Sequence, residues 1–138
     1  MSISPSTRKT VEKRANYLCE YCLSPQDFST QSHSIEHILP KIKKGSDEPE
    51  NLALACQGCN GYKSDKTKAV DPVTKTISPL YNPRKDIWEK HFTWSDDYLE
   101  RIGTTVKGRA TVSLLKLNRQ GVINLRKVLI SYGEHPPK

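Results

Sequence analysis

Apolar residues near the N-terminus recur at the three- and four-residue spacing of one face of a helix. Val11, Ala15 and Leu18 form this narrow stripe, and Pro5 stands where a first helical turn tolerates proline. We therefore predict an N-terminal helix that runs directly into Cys19.

The middle of the chain alternates between short β-rich runs and polar runs. Residues 33–39 predict a strand that Pro40 closes, and residues 41–50 have the Gly, Ser, Asp and Pro content of a long exposed loop. Residues 51–55 predict the returning strand, and residues 57–68 predict a polar helix. The expected order in this region is therefore strand, loop, strand and helix.

The last third of the chain predicts a β-hairpin and two helices. Residues 91–102 carry aromatic and branched side chains on both sides of an Asp-Asp pair, which is typical of a hairpin. Thr105 can cap the next helix, and residues 119–132 predict the last one. The fold class is therefore α+β. A chain of 138 residues fits a single domain, with a core at 19–68 and a C-terminal extension at 69–138.

All of the cysteines fall into two Cys-x-x-Cys pairs. Cys19 and Cys22 form the first pair, Cys56 and Cys59 form the second, and thirty-three residues separate the pairs. Four thiolates at this spacing predict a closed tetrahedral zinc site with a structural role, and two disulfides are the alternative. The N-terminus lacks the apolar segment of a secretory signal. We therefore expect a cytoplasmic protein with reduced thiols, which favours zinc.

The net charge of +7 and the pI of about 9.3 come from basic residues that are spread along the chain. Such a diffuse positive field favours a polyanionic partner, because Lys and Arg contacts with phosphates release counterions. A soluble basic surface explains the same composition equally well. No apolar run is long enough to span a membrane, so no membrane partner is expected.

A set of polar residues lies between the cysteine pairs and directly after them. Glu36 and His37 belong to the first predicted strand, Asn51 opens the second, and Asn60 and Lys63 follow the last cysteine. A neutral imidazole can take a proton from water near neutral pH, and a carboxylate oxygen suits a hard divalent ion. These residue types are therefore typical of a hydrolase that acts on phosphodiesters.

The arrangement resembles the HNH endonuclease family, whose core is a ββα-metal unit. The matching pieces are Cys-Glu-Tyr-Cys at 19–22, Ile-Glu-His-Ile-Leu-Pro at 35–40, Asn-Leu-Ala-Leu-Ala-Cys-Gln-Gly-Cys-Asn at 51–60, and Lys63. With the elements above, the expected fold is a ββα-metal core with an N-terminal helix, a structural zinc, and a C-terminal hairpin followed by two helices.

The resemblance implies that His37 activates the attacking water and that Glu36 and Asn60 hold a catalytic divalent ion. It also implies that Asn51 bonds the backbone across the long loop and so holds the strand of His37 in place. Lys63, one turn after Asn60, is placed to reach an oxygen of the scissile phosphate. Adjacent strand residues point to opposite faces, so the strand must bend or end at Glu36 and His37.

The sequence departs from the family pattern after the last cysteine. Many members carry a His where this chain has Asn60, and a second His four residues later, where this chain has Ser64. On a continuous helix the two side chains would share one face. An amide and a hydroxyl in place of two imidazoles favour Mg²⁺ or Mn²⁺ as the catalytic ion. Whether Ser64 or Asp65 reaches that ion stays open.

The leading prediction is a metal-dependent endonuclease that nicks or cleaves DNA, with double-stranded DNA as the main partner. One such site cuts one strand, so double-strand cleavage needs a homodimer or two successive nicks. The alternative is a catalytically silent, zinc-stabilised nucleic-acid-binding module, and a third interpretation is a protein-interaction module. Bacterial or phage defence, restriction, mobile elements and phage packaging all use this core. The sequence selects neither a pathway nor a recognition sequence, and RNA stays open.

Overall fold

The computed structural model describes residues 3–138, which form two compact units. The first unit contains the described residues up to Thr67 together with Asn82–Lys85, and the second contains Lys68–Tyr81 together with Asp86–Lys138. Small antiparallel sheets and helices occur in both units, so the predicted α+β class is confirmed. The organisation of the whole chain as a single domain stays a prediction. Of the helices within residues 3–138, none has the length and apolar character needed to cross a bilayer.

The first helix, α1, spans Pro5–Arg14 and has the proline at its start, as predicted. The Ser4 hydroxyl caps it by accepting a hydrogen bond from a backbone N–H of the first turn. Its buried residue is Val11. The helix is shorter than the apolar stripe suggested, because Asn16 and Tyr17 adopt φ values of 55° and 60° that helical residues do not have.

The core of the first unit has the predicted order of strand, loop, strand and helix. Its elements are β1 (Ser34–His37), β2 (Leu52–Ala55) and α2 (Gln57–Lys63). The strands pair antiparallel, with His37 opposite Leu52. All residues of β2 are buried, and Leu52 and Leu54 pack with Val11 in an apolar cluster. This packing fixes the strand pair on α1 and leaves the end of β1 at the rim of the core.

The helix α2 ends at Lys63, earlier than the predicted end at residue 68. Ser64 has φ 50° and ψ −129°, and this backbone conformation stops the helix. A continuous helix would have placed Asn60 and Ser64 on one face, but α2 does not reach Ser64, so that expectation is wrong.

The second unit contains two hairpins and three helices. In chain order they are β3 (Lys68–Val70), β4 (Ile77–Pro79), α3 (Trp88–His91), β5 (Phe92–Trp94), β6 (Arg101–Gly103), α4 (Val106–Leu115) and α5 (Gln120–Ser131). The predicted C-terminal hairpin is β5–β6, and Thr105 caps α4 by accepting a hydrogen bond from the Gly108 N–H. The helix predicted over residues 119–132 is α5, so the hairpin and both C-terminal helices are confirmed. The hairpin β3–β4 and the short helix α3 were not predicted.

A buried arginine organises the aromatic residues of the second unit. Arg101 is 1% exposed, and its guanidinium carbon lies 4.8 to 5.0 Å from the ring centres of Trp88, Phe92 and Trp94. A guanidinium over aromatic faces gains cation–π attraction, which is larger away from water. The aromatic side chains therefore serve packing in this unit.

Candidate active site and metal centre

The sulfur atoms of the four cysteines lie together in the first unit. All of them are within 4.8 Å of one another, and the sulfurs of Cys22 and Cys56 are 3.6 Å apart. A disulfide requires an S–S distance of about 2.05 Å, and no disulfide joins any of these four cysteines. Zinc held by four thiolates at about 2.3 Å separates its sulfurs by about 3.8 Å. The cluster therefore indicates zinc binding and excludes the disulfide alternative.

Each Cys-x-x-Cys turn directs a backbone N–H at its own first sulfur. The N–H groups of Cys22 and Cys59 donate to the sulfurs of Cys19 and Cys56, both at 3.4 Å. Hydrogen bonding to the Cys19 thiol lowers the pKa of Cys22 well below its usual value and lowers that of Cys56 to about 7. Burial raises the pKa of Cys19. Half of the cluster thus loses its protons readily, as zinc binding requires.

The cluster joins two parts of the chain that are distant in sequence. Cys19 and Cys22 lie in the turn that follows α1. Cys56 caps the start of α2, and Cys59 lies within that helix. A zinc ion held by these sulfurs would fix the helix that carries Asn60, while its closed coordination leaves no position for water or substrate.

Glu36 points into the interior of the first unit, where it is 3% exposed. Its Oε2 accepts a hydrogen bond of 2.7 Å from the hydroxyl of Tyr21, and its Oε1 lies 2.5 Å from Nζ of Lys63. The contact with Lys63 is an ion pair that joins two buried opposite charges. Burial raises the pKa of Glu36, and Lys63 and Tyr21 oppose that shift.

Lys63 is 2% exposed and connects α2 to the end of β1. Besides Glu36, its ammonium group contacts the backbone carbonyl oxygens of His37 at 3.4 Å and Ile38 at 3.1 Å. The predicted contact of Lys63 with a phosphate stays a prediction, and it would require the ammonium to leave this buried pair. The role of Tyr21 was missed, because nothing in the spacing of a Cys-x-x-Cys turn marks its middle residues.

The contacts of His37 differ from those of Glu36, because adjacent residues of a strand point to opposite faces. The strand ends at His37, in agreement with the expectation that it bends or ends there. The Nε2 atom of His37 lies 2.7 Å from Oδ1 of Asp47, and the His37 side chain is 19% exposed. His37 is therefore partly accessible, while Glu36 is enclosed.

Asp47 determines which nitrogen of His37 carries a proton. The hydrogen bond with His37 lowers the pKa of Asp47, and the ammonium of Lys41 lies 3.3 Å from its second oxygen. An ionised carboxylate can only accept, so Nε2 must be the protonated nitrogen of a neutral His37. The lone pair then resides on Nδ1. Asp47 was predicted only as a loop residue, because its ten-residue separation from His37 gives no periodic signal.

Asn51 holds the two sides of the loop between β1 and β2 together. Its side-chain oxygen accepts from the Leu39 N–H at 2.9 Å, and its amide donates to the Leu39 and Ser46 oxygens at 3.0 and 2.8 Å. Gly45 lies inside the same turn, where an added Cβ would be 1.7 Å from the Leu39 oxygen. These contacts are of the kind that the predicted role of Asn51 requires, and its part in catalysis stays a prediction.

Asn60 lies half-buried on α2, three residues before Lys63. Within residues 3–138, the cysteine cluster is the one group of three or more His, Cys, Asp or Glu side chains close enough to hold an ion. A second ion would therefore depend on an amide such as that of Asn60 besides the carboxylate of Glu36. Both supply oxygen atoms, which suit Mg²⁺ and Mn²⁺.

Comparison with known proteins identifies the region that contains these contacts. Residues 19–66 match the model of the HNH endonuclease family. The match begins at the first cysteine and includes both cysteine pairs, β1, β2, α2 and all of the predicted site residues. No curated protein matches the chain.

We expect the purified protein to contain about one zinc ion per chain, held by the four cysteines. Chelation should lower the melting temperature of the first unit, because the sulfurs join the turn after α1 to α2. Metal analysis and thermal unfolding check this, and added zinc should restore the melting curve. A chelated protein whose melting curve is unchanged would contradict the structural role of the cluster.

Lys63→Met should lower the free energy of unfolding by about 3–5 kcal/mol, because it leaves the Glu36 carboxylate buried without its cation. Lys66→Met, at an exposed position nearby, is the matched control and should change little. In the double variant Glu36→Gln/Lys63→Met, the loss should be smaller than the sum of the single losses. Urea denaturation of these variants and of the Glu36→Gln single variant measures the losses, and equal stability of the Lys63 and Lys66 variants would refute the buried pair.

Proposed function

We propose that this chain, which contains an HNH endonuclease domain over residues 19–66, is a metal-dependent endonuclease that hydrolyses phosphodiester bonds of duplex DNA. The observation that carries the proposal is the contact between His37 and Asp47 at the end of β1. It leaves a partly exposed imidazole with an unprotonated nitrogen beside the loop that follows the strand. A module that only binds nucleic acid has no need of such a base.

In the proposed reaction, Nδ1 of His37 takes a proton from a water molecule as its oxygen attacks phosphorus. The bond from phosphorus to the leaving 3′ oxygen then breaks, that oxygen takes a proton from a solvent water molecule and becomes a hydroxyl, and His37 returns to neutral by releasing the proton it took to solvent. The Nε2 proton of His37 stays on the hydrogen bond with Asp47 throughout. The negative charge of Asp47 stabilises the imidazolium that forms, and the bond prevents the ring from turning.

A catalytic Mg²⁺ or Mn²⁺ would be held by Glu36 and Asn60. The observation that fits it is the chemistry of the donors, a carboxylate and an amide, whose oxygen atoms suit these ions. Such an ion would supply Lewis-acid stabilisation of the charge that develops on the phosphate oxygens. Lys63 opposes the protonation that burial favours, so it keeps Glu36 in the form that binds cations.

Asn51 and Lys63 act by holding the other site residues in place. Asn51 fixes the loop that carries Asp47, so it indirectly fixes the ring of His37. Lys63 binds the backbone at the end of β1 and thereby sets the direction in which His37 leaves the strand. We therefore propose that Lys63 supports Glu36 and His37, while its predicted contact with the scissile phosphate stays untested.

The catalytically silent nucleic-acid-binding module is a second candidate, and one observation favours it. The carboxylate of Glu36 already has a cation at 2.5 Å and a hydroxyl donor at 2.7 Å. If that pair excludes a divalent ion, the chain binds DNA without cleaving it. The two candidates predict different results with plasmid DNA.

We expect the wild-type protein to nick supercoiled plasmid in the presence of Mg²⁺ or Mn²⁺. His37→Ala should lower the nicking rate by about 10²- to 10⁴-fold, because it removes the base. The variant should keep its zinc and its affinity for DNA, since His37 supplies no atom to the cysteine cluster and its side chain is partly exposed. Purification of both proteins by one protocol controls for contaminating nucleases. A wild-type protein that binds plasmid but never nicks it would favour the silent module.

Asp47→Ala should lower kcat by about 10- to 100-fold with little change in KM, because His37 loses the group that orients it. Asp47→Asn should lose less, since an amide oxygen still accepts the Nε2 proton. Glu48→Ala changes the neighbouring exposed carboxylate and is the matched control, which should keep wild-type kcat. Steady-state nicking rates measured across substrate concentrations give kcat and KM for each variant. Equal kcat values for the Asp47→Ala and Glu48→Ala variants would contradict the role of Asp47.

A further inference from the structure

The last helix, α5, is apolar over a wider arc than the second unit covers. Its buried residues are Val122, Arg126 and Leu129, which lie on one side of the helix. A second apolar stripe lies about a quarter turn away around the helix axis. We name this stripe the α5 seam, and its members are Gly121, Leu125, Val128 and Tyr132. Val128 is 47% exposed and Tyr132, the residue that follows α5, is 72% exposed, so residues 3–138 leave much of the seam in water.

The α5 seam has the spacing by which one helix packs on another. Its residues are separated by four, three and four positions, which is the alternation of the a and d positions of a heptad. The exposed polar side chains of the helix collect in a separate sector, which contains Gln120, Asn124, Lys127 and Ser131. The apolar residues therefore form one continuous stripe, and its geometry fits a second helix.

Gly121 has no packing role that the described residues explain. An added Cβ there would meet no atom within 4 Å. Glycine is less favourable than alanine inside a helix, so its place in α5 has a cost for helix stability. At the seam, however, a glycine lets the side chain of a partner approach the helix backbone closely. Gly121 is thus explained by a neighbour on this side of α5.

The sizes of the seam residues fit the same seam in the reverse direction. In an antiparallel pair about a two-fold axis, Gly121 of one copy faces Tyr132 of the other. Leu125 then faces Val128, because the two pairs of residues share one midpoint along the helix. The largest side chain therefore lies over the position without one, and two aliphatic side chains of medium size meet between these ends.

The charges around α5 also favour an antiparallel pair of copies, although the chain carries a net charge of +7. The seam itself contains no charged residue, and the exposed Lys127 lies in the polar sector. Antiparallel helices place each positive N-terminal end beside a negative C-terminal end. The exposed Glu134, just beyond the C-terminal end, would lie near the N-terminal end of the other copy, where Arg119 is the cap residue.

We propose that two copies of this chain associate through the α5 seam as an antiparallel helix pair about a two-fold axis. This dimer is independent of the proposed function, because α5 lies outside residues 19–66. The seam is short, so we expect a Kd on the order of 10 µM. Each dimer would carry two copies of the HNH domain.

Sedimentation equilibrium of the full chain with zinc bound tests the dimer over about 1 to 200 µM protein. The average mass should rise with concentration from that of one chain, 15.6 kDa, towards that of two. Val128→Arg should raise Kd by at least about tenfold, because it places a charge in the apolar contact. Val73→Arg adds the same charge at a valine that is 69% exposed between β3 and β4, so it is the matched control and should keep the wild-type Kd.

A charge exchange tests the antiparallel direction. Gly121→Lys and Tyr132→Glu should each raise Kd, and the double variant should recover at least about tenfold, because opposite charges then meet at both ends of the pair. Within one chain the two positions are about 16 Å apart along the helix, too far to form a pair. A parallel dimer would place like charges together, so a double variant without recovery overturns the antiparallel arrangement.

The remaining outcomes decide the partner. A wild-type protein that stays monomeric over the whole concentration range overturns the inference, and so do equal Kd values for the Val128→Arg and Val73→Arg variants. A monomer that binds phosphatidylglycerol vesicles only when Val128 is present overturns it in favour of a lipid surface. Plasmid nicking by the wild-type protein is measured separately and tests the nuclease whichever result is obtained. Zinc content and melting temperature of each variant show that the fold is retained.

Discussion

The ion pair between Lys63 and Glu36 determines how the helix α2 meets the end of β1. Two opposite charges lie together away from water, and neither is tolerated there alone. The same ammonium binds the carbonyl oxygens of His37 and Ile38, so the pair also fixes the backbone from which His37 and the following loop leave the strand. The ammonium of Lys63 thus holds α2, the end of β1 and the start of the following loop together.

Periodicity and spacing predicted the parts of the molecule that depend on neighbours in sequence. The two Cys-x-x-Cys pairs predicted the sulfur cluster, and the alternation of β-rich and polar runs predicted β1, β2 and α2 in that order. The early end of α2 could not be predicted, because it depends on a positive φ at Ser64, where glycine or asparagine would have been the usual signal. The hairpin β3–β4 was also missed.

Side-chain contacts across the fold were the least predictable. Lys63 on a polar helix suggested a residue that reaches a phosphate, yet it is buried, because the buried carboxylate of Glu36 pairs with its ammonium and sequence alone does not reveal this contact. The sequence marked Asp47 only as a loop residue, but in the structure its carboxylate contacts the ring of His37. The backbone bonds of Asn51 explain why the loop returns, and these contacts span twelve residues.

The position of the cysteine pairs along the chain has a consequence for biosynthesis. The last ligand of the cluster is Cys59, and Asn60 and Lys63 follow it. A ribosome must therefore release the entire segment before zinc can close the fold, and a shorter nascent chain has neither the metal nor the helix. Under the proposed function, no cutting activity could precede the emergence of Cys59, Asn60 and Lys63 from the ribosome.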